Sequence, residues 1–205
     1  IRDNEAFDGG GVANAGVTTI ERSLIQSNTA FTGGGIQNTG DLTVTDTTVA
    51  LNDVIGTSKS GAGIQNGTFS IPGATLTMSR STVGGNTGAT TGGGIHTRGD
   101  TSTTLVNSTI SGNDATTNGG GIHHGATGVL NVSFSTITQN TSGLGSGLAL
   151  QTTGLTPPGS LGLLFNIIAD NSSSNGATDI SLAASSSLQL SHNVLGTFAI
   201  GTPTN

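Results

Sequence analysis

An eleven-residue pattern of apolar and polar positions recurs seven times along the chain. Each block reads apolar, any residue, apolar, four residues, apolar, two residues and then usually asparagine. The third apolar position falls at Ile25, Val49, Val83, Ile110, Ile137, Ile168 and Leu195. Six blocks close with Asn28, Asn52, Asn86, Asn113, Asn140 and Asn171, and Phe198 holds the seventh closing position. Successive closing asparagines are 24, 34, 27, 27 and 31 residues apart, which is typical of solenoid coils.

A run of small residues that ends in an aliphatic residue lies between successive blocks. It reads Gly-Gly-Gly-Ile at residues 33–36, 92–95 and 119–122. The distance from that aliphatic residue to the next block varies from 6 to 13 residues, whereas the block keeps its length. This combination indicates strands held in register and loops that are free to lengthen.

Period-two alternation within the blocks, as in Leu42-Thr43-Val44-Thr45, indicates strands rather than helices. Nothing at constant spacing resembles the turn-linked strand pairs of hairpins. We therefore predict an all-β fold: a right-handed parallel β-helix of about seven coils, with three short strands per coil. The unbroken repeat favours one domain over residues 1–205. Ile1 falls inside an eighth block that ends at Asn4, so we expect a fragment of a longer solenoid.

The repeated positions acquire physical roles in such a coil. The closing asparagines are expected to form a buried ladder, because a buried amide without a partner costs about 1–3 kcal/mol. Glycines of the small-residue runs allow positive φ and close backbone approach. We also expect Phe7 to stack on Phe31 and Phe134 to stack on Phe165. A second, partial ladder is expected from Asn14, Asn38, Asn66, Thr97 and His124.

Composition removes several classes of protein. Glycine contributes 35 residues but with no three-residue period and only 4 prolines, which excludes collagen. A net charge of −6 with five basic residues argues against nucleic acid or an anionic membrane as partner. No apolar run is long enough to insert into a membrane. Cysteine is absent, so there are no disulfides and no thiolate metal sites.

Several segments resemble a known group of proteins. Asn-Ser-Thr-Ile-Ser-Gly-Asn at 107–113, followed by Asn-Gly-Gly-Gly-Ile-His at 118–123, is similar to the right-handed β-helix repeats of large bacterial surface and secreted proteins. These include polymorphic outer-membrane proteins and proteins with choice-of-anchor domains. The segments at 166–171, 179–180 and 191–196 resemble the last coils of the choice-of-anchor type. The resemblance implies the fold and an extracellular or cell-surface location.

Catalysis was weighed because many parallel β-helix proteins cleave acidic polysaccharides. Such chemistry needs two or three acids that converge on a groove, often with aromatic sugar platforms. The aspartates, among them Asp41, Asp53, Asp114 and Asp170, mostly lie in turns, no two share a strand position in adjacent coils, and Trp and Tyr are absent. We predict no catalytic residues and keep a polysaccharide lyase or hydrolase as an alternative.

The histidines raise the question of a metal. His96 and His123 both follow the aliphatic residue of a glycine run, so we predict that they point outward, roughly 5 Å apart in adjacent coils. Gln37 and Gln65 hold the same position in the preceding coils, which favours an exposed polar column. A third ligand is not evident and no calcium repeat is present, so we predict no metal and no cofactor.

Outward threonines support a further alternative. Thr48, Thr82, Thr109 and Thr136 hold one position in four consecutive blocks. Regular threonine columns on a β-solenoid match an ice lattice in several ice-binding proteins, although threonine is also favoured on any exposed strand. Two insertions, at residues 65–75 and 149–160, share one corner of the coil, and such loops are frequent binding surfaces.

The sequence thus favours a non-catalytic extracellular or cell-surface module with a structural or adhesive role. Expected partners are neighbouring coils of a longer chain, or a second copy stacked end to end on unpaired strand edges. A surface glycan or a protein receptor is a further candidate partner.

Overall fold

The structure is a computed structural model that describes residues 1–57, 59–68, 70–71, 73–151, 159–175, 179–182 and 187–200. The side chains of 126 and 198–200 are not part of the description. The described residues form 28 β-strands and no helix. Residues 152–158 of the second predicted insertion, with its two prolines, lie outside the described residues.

The strands, in chain order, are β1 (Val12–Asn14), β2 (Val17–Glu21), β3 (Leu24–Gln26), β4 (Thr29–Ala30), β5 (Ile36–Asn38), β6 (Asp41–Thr45), β7 (Thr48–Ala50), β8 (Asp53–Val54), β9 (Ile64–Asn66), β10 (Thr75–Ser79), β11 (Thr82–Gly84), β12 (Ala89–Thr91), β13 (Ile95–Gly99) and β14 (Ser102–Val106). They continue as β15 (Thr109–Ser111), β16 (Ala115–Asn118), β17 (Ile122–Ala126), β18 (Val129–Ser133), β19 (Thr136–Thr138), β20 (Thr141–Ser142), β21 (Leu148–Leu150), β22 (Ser160–Leu164), β23 (Ile167–Ala169), β24 (Ser172–Ser173), β25 (Ile180–Leu182), β26 (Ser187–Ser191), β27 (Val194–Leu195) and β28 (Phe198–Ile200).

Three parallel sheets run the length of the solenoid. The glycine-run sheet contains β1, β5, β9, β13, β17, β21, β25 and β28, each strand following a small-residue run except the last. The long-strand sheet contains β2, β6, β10, β14, β18, β22 and β26; the ladder sheet contains β3, β7, β11, β15, β19, β23 and β27. Each coil contributes one strand to every sheet, which confirms the predicted parallel β-helix of about seven coils. A fourth, short strand, not predicted, adds three two-stranded sheets at one corner.

The interior is a column of aliphatic side chains in direct register. Val49, Val83, Ile110 and Ile137 pair strand to strand and are completely buried. This is the stacking that the sequence pattern predicts, and each such residue contributes about 1.5–3 kcal/mol by burial. Thr103 is a polar residue at the first apolar position of its block. It is also buried, and its hydroxyl accepts a hydrogen bond from Asn66 Nδ2 at 3.0 Å.

The closing asparagines form a ladder with fixed polarity. In each coil the backbone N–H and the Nδ2 group both donate to Oδ1 of the asparagine one coil later, as for Asn52 and Asn86 at 2.9 and 3.0 Å. Nδ2 also donates backwards, from Asn86 to the carbonyl of Val49 at 3.2 Å. Asn4 is the first member, because its N–H and Nδ2 groups donate to Asn28 Oδ1. Every amide is therefore satisfied by its neighbours above and below.

A further polar ladder, which was not predicted from the sequence, is formed by the residues that directly precede the strands of the ladder sheet. Backbone N–H groups donate to a hydroxyl one coil later, from Thr47 to Ser81 at 3.1 Å and from Ser81 to Ser108 at 3.3 Å. Each hydroxyl in turn donates to a carbonyl two residues earlier, as Ser81 does to Ser79 at 2.7 Å. The positions that precede the outward threonines therefore hold the turn together.

The predicted inner ladder is continuous from Asn14 to Asn66, Thr97 and His124 form a separate bonded pair, and both aromatic pairs are present. Asn14 Nδ2 donates to Asn38 Oδ1 at 2.7 Å, and Asn38 Nδ2 donates to Asn66 Oδ1 at 2.7 Å. The ring centroids are 5.0 Å apart for Phe7 and Phe31 and 5.2 Å apart for Phe134 and Phe165. His192 extends the second stack, 4.7 Å from Phe165, which was not predicted.

The last coil departs from the pattern. Phe198 does not take the asparagine position, because β28 pairs with β25 and places Phe198 beside Ile180 in the glycine-run sheet. Only Gly196 and Thr197 connect β27 to β28, so the chain skips the corner where the asparagine would stand. The carboxylate of Asp179 fills that place: its Oδ1 accepts from N and Nδ2 of Asn171 at 2.9 and 2.8 Å. A carboxylate has no N–H, so the ladder ends there.

Candidate functional site

The outer face of the glycine-run sheet carries a column of polar side chains that does not repeat one residue. Gln37 pairs with Gln65, Gln65 with His96, and His96 with His123, each one coil further along. We call these four residues the covered polar column. Their side chains point away from the aliphatic core, because both neighbours of each on the strand point into it.

The prediction that this column is exposed is wrong. His96 and His123 are only 1% and 6% exposed, and Gln37 and Gln65 are 7% and 2% exposed. The first predicted insertion lies against this face at its Gln37 end: Gly67 is bonded to both Asn38 and Gln65, and Thr68 and Ile71 line a pocket together with Gln37. Burial of a strand residue on the outer face depends on where a loop lies, which strand alternation does not encode. The predicted spacing was correct, since the two imidazole centroids are 4.8 Å apart.

Hydrogen bonds fix the tautomer of His96. Gln65 Nε2 donates to the carbonyl of Gly67 at 2.8 Å, so Gln65 Oε1 is free to accept. The Nδ1 atom of His96 lies 3.0 Å from that Oε1 and therefore carries the proton. The Nε2 atom of His96 then keeps its lone pair.

His123 is held by the opposite nitrogen. Its Nε2 lies 3.3 Å from Gln151 Oε1, which also accepts from Asn118 Nδ2 at 3.3 Å. His123 Nε2 therefore donates, and the Nδ1 of His123 is buried without a partner. Gln37 Oε1 and Asn118 Oδ1 are also buried and unpartnered among the described residues. Three of the four such atoms thus belong to this column or its flank, where each costs about 1–3 kcal/mol.

Burial keeps these histidines neutral. Desolvation lowers the pKa of His96 well below its usual value, and neighbouring His123 and Arg98 lower it further. Desolvation also lowers the pKa of His123 and of His124 to about 4. His124 faces the interior, as predicted, and its Nδ1 lies 2.5 Å from the hydroxyl of Thr97. Neutral imidazoles in this position are hydrogen-bonding groups at neutral pH.

A pocket opens at the Gln37 end of the column. Its lining includes Asp8, Ala13, Gln37 and Thr39 from the coil, and Thr68 and Ile71 from the first predicted insertion. We call it the Gln37 pocket. The insertion therefore does two things: it hydrogen-bonds to Gln65 of the column and it forms one wall of a concave site.

The threonines predicted as a surface column lie in direct register on the ladder sheet. Thr48, Thr82, Thr109 and Thr136 pair strand to strand and are half-buried, and the column continues as Ile167 and Val194. A second column on the long-strand sheet consists of Thr19, Thr43, Thr77 and Thr104, also in register.

The aspartates lie at separate corners, and several are held by threonines. Thr32, Thr75 and Thr141 donate their hydroxyls to Asp8, Asp41 and Asp114, respectively. Asp53 and Asp114 share one position of the coil, but Thr87 lies between them and bonds to Asp53. Asp46 binds Arg80 through two bonds of 2.8 and 2.9 Å, and the Arg80 guanidinium lowers the pKa of that carboxyl.

Metal ligands do not cluster within the described part of the chain, where no group of three or more His, Asp or Glu residues is arranged to hold an ion. Nor do the described residues include a helix of the length and apolarity needed to cross a membrane. Comparison of the chain with protein-family models, with curated proteins and with solved structures finds no match in any of the three.

Proposed function

We propose that this chain is a non-catalytic module of an extracellular or cell-surface protein, with a structural or adhesive role. The observation that carries the proposal is the contrast between its acids and its unsatisfied polar groups. The acids are dispersed over the corners, with threonines engaging Asp8, Asp41, Asp53 and Asp114. Among the described residues, three of the four unpartnered buried atoms instead lie in the covered polar column or at its flank, and one of them belongs to Gln37, which lines a pocket. Such an arrangement favours binding over acid–base chemistry.

Two measurements on the whole chain test this role. Beads coated with the protein are expected to adhere to cell or glycan surfaces, whereas the same protein incubated with acidic and neutral polysaccharides releases no new reducing ends. Release of reducing ends that disappears in Asp41→Asn or Asp170→Asn would establish the lyase or hydrolase alternative instead. If the folded protein shows neither adhesion nor cleavage, only the structural role remains.

Self-association is part of the proposal. The strands β1 and β2 at one end, and β26, β27 and β28 at the other, are the last described members of their sheets, and their outer edges can pair with further coils of a longer chain or with a second copy. Because the asparagine ladder ends at Asp179, a second copy stacked there is held by strand edges and not by the ladder. Particle mass that rises with concentration is the expected result, and a strictly monomeric particle rules this contact out.

Ice binding is the second candidate, and the in-register column of Thr19, Thr43, Thr77 and Thr104 favours it. It lies on the sheet next to the column of Thr48, Thr82, Thr109 and Thr136. If either column binds ice, the chain produces thermal hysteresis that Thr77→Tyr or Thr109→Tyr removes. Hysteresis that is absent, or unchanged in both variants, eliminates this candidate.

A further inference from the structure

The Gln37 pocket has more hydrogen-bond acceptors than donors left for a ligand. Gln37 Oε1 is buried and unpartnered. One oxygen of Asp8 accepts the hydroxyl of Thr32 at 2.6 Å, which leaves its second oxygen available. The hydroxyl of Thr39 donates to the carbonyl of Asn14 at 3.1 Å, so its lone pairs remain. Such a set needs a ligand that is rich in donors.

One donor is available on the opposite wall. The Oγ1 of Thr68 accepts the N–H of Ile71 at 3.2 Å, so its own proton can be donated to a ligand oxygen. The pocket therefore fits a molecule whose groups both donate and accept. Hydroxyl groups have this property, and they also satisfy Gln37 whichever way its amide is turned.

Charge and shape narrow the ligand further. The lining contains one carboxylate and no cationic side chain, so an acidic sugar is repelled. Ala13 and Ile71 supply apolar surface for the C–H face of a sugar ring.

We propose that the Gln37 pocket binds one residue of a neutral glycan, with Gln37 and Asp8 accepting its hydroxyl protons and Thr68 donating to it. This site deepens the adhesive role and rests on it for its biological meaning. Of the buried polar atoms that lack a partner in the free protein, the sugar completes Gln37 Oε1.

The test is calorimetric titration of the whole chain with four neutral sugars: glucose, galactose, mannose and N-acetylglucosamine. A separate titration with glucuronic acid measures the effect of a negative charge on binding. At least one neutral sugar is expected to bind, with glucuronic acid binding about tenfold more weakly or not at all. Gln37→Met is expected to weaken binding about tenfold by removing one hydrogen bond, without lowering the unfolding temperature. If Gln37 has only a structural role, Gln37→Met lowers the unfolding temperature and leaves sugar binding unchanged.

Asp8→Asn and Asp53→Asn form a matched pair, because both aspartates accept a threonine hydroxyl and only Asp8 lines the pocket. Asp8→Asn is expected to weaken sugar binding, and Asp53→Asn to leave it unchanged. The proposal is overturned if no neutral sugar binds, if Gln37→Met binds like the wild type, or if calcium chloride alone produces the Asp8-dependent heat. If the beads adhere but no sugar binds, the proposed sugar site is rejected and the adhesive role stands. If a sugar binds but the beads do not adhere, the sugar site stands and the adhesive role is rejected.

Discussion

The asparagine ladder and the covered polar column both consist of buried polar side chains. They differ in uniformity and in how well their hydrogen bonds are satisfied. The asparagine ladder repeats one residue from Asn28 to Asn171, and each amide accepts from one coil and donates to the next. The covered polar column changes from Gln37 to Gln65 to His96 to His123 and has unpartnered atoms at both of its ends.

The difference separates two uses of buried polar groups. A uniform ladder satisfies itself because identical amides, one coil apart, present the same donors and acceptors to each other. The mixed column does so only between Gln65 and His96, and it leaves Gln37 Oε1 and His123 Nδ1 without a partner. Uniformity therefore indicates a stabilising ladder here, whereas the unmatched groups are what the proposed binding site draws on.

The largest expected effect is the pH dependence of stability, which the buried histidines cause and the asparagine ladder does not. The pKa of His123 and of His124 is about 4 in the folded protein, against 6.5 when exposed. Protonation therefore favours unfolding: the stability that these neutral histidines allow is complete above pH 6.5 and is lost as the pH falls towards 4. The shift corresponds to about 3 kcal/mol for each of the two. No carboxylate is among the causes of either shift, and Arg98 opposes protonation of His123.

Urea unfolding at pH 7, 5.5 and 4 measures this loss. His123→Gln removes one titrating group and is expected to flatten the profile, whereas Asn113→Gln in the ladder leaves its slope unchanged. Equal slopes in the wild type and His123→Gln would show that His123 is not buried as a neutral base.

The second effect concerns the ladder alone. Asn86→Ala leaves N and Nδ2 of Asn52 without their acceptor and removes the side-chain donor to the carbonyl of Val49. A loss of about 3–5 kcal/mol in the free energy of unfolding is expected. Thr82→Ala in the same coil is the control, with a change within about 0.5 kcal/mol because its side chain points outward. Similar losses in both variants would contradict the role given to the ladder.

The third effect is at the end of the ladder. Asp179 accepts from Asn171 and, through Oδ2, from N and Oγ1 of Thr197 at 2.7 and 3.0 Å. Asp179→Asn replaces Oδ2 by a donor that faces the Thr197 N–H, so about 2 kcal/mol of stability is expected to be lost. These hydrogen bonds outweigh desolvation and lower the pKa of the carboxyl. The wild type therefore also loses stability as the pH falls below 3.8, a loss that Asp179→Asn lacks in acid unfolding curves.

The smallest effect has the opposite sign from that of the ladder variants. Gln37→Met removes a buried acceptor that has no partner, so the free energy of unfolding is expected to stay within about 1 kcal/mol of the wild type or to rise. Urea unfolding beside Asn86→Ala measures the contrast directly. A loss comparable to that of Asn86→Ala would mean that the two columns do not differ in kind.

Sequence alone predicted the parts of this protein that depend on contacts between equivalent positions in adjacent coils. The aliphatic column through Val83 and Ile110, the Phe7–Phe31 pair and the inner ladder from Asn14 to Asn66 follow from position in the repeat. Strand spacing brings equivalent residues together without any further information, so register was sufficient.

Tertiary structure decided whatever depends on segments that do not repeat. The insertion after Asn66 hydrogen-bonds to Gln65 and forms one wall of the Gln37 pocket. Alternation within the strands indicates only that the residues of the covered polar column face away from the core. Asp179 reaches the asparagine position because the chain after Leu195 takes a shorter path. A periodic pattern encodes contacts between equivalent residues, whereas the path of an irregular loop is set by the packing and hydrogen bonds it finds once the coils have formed.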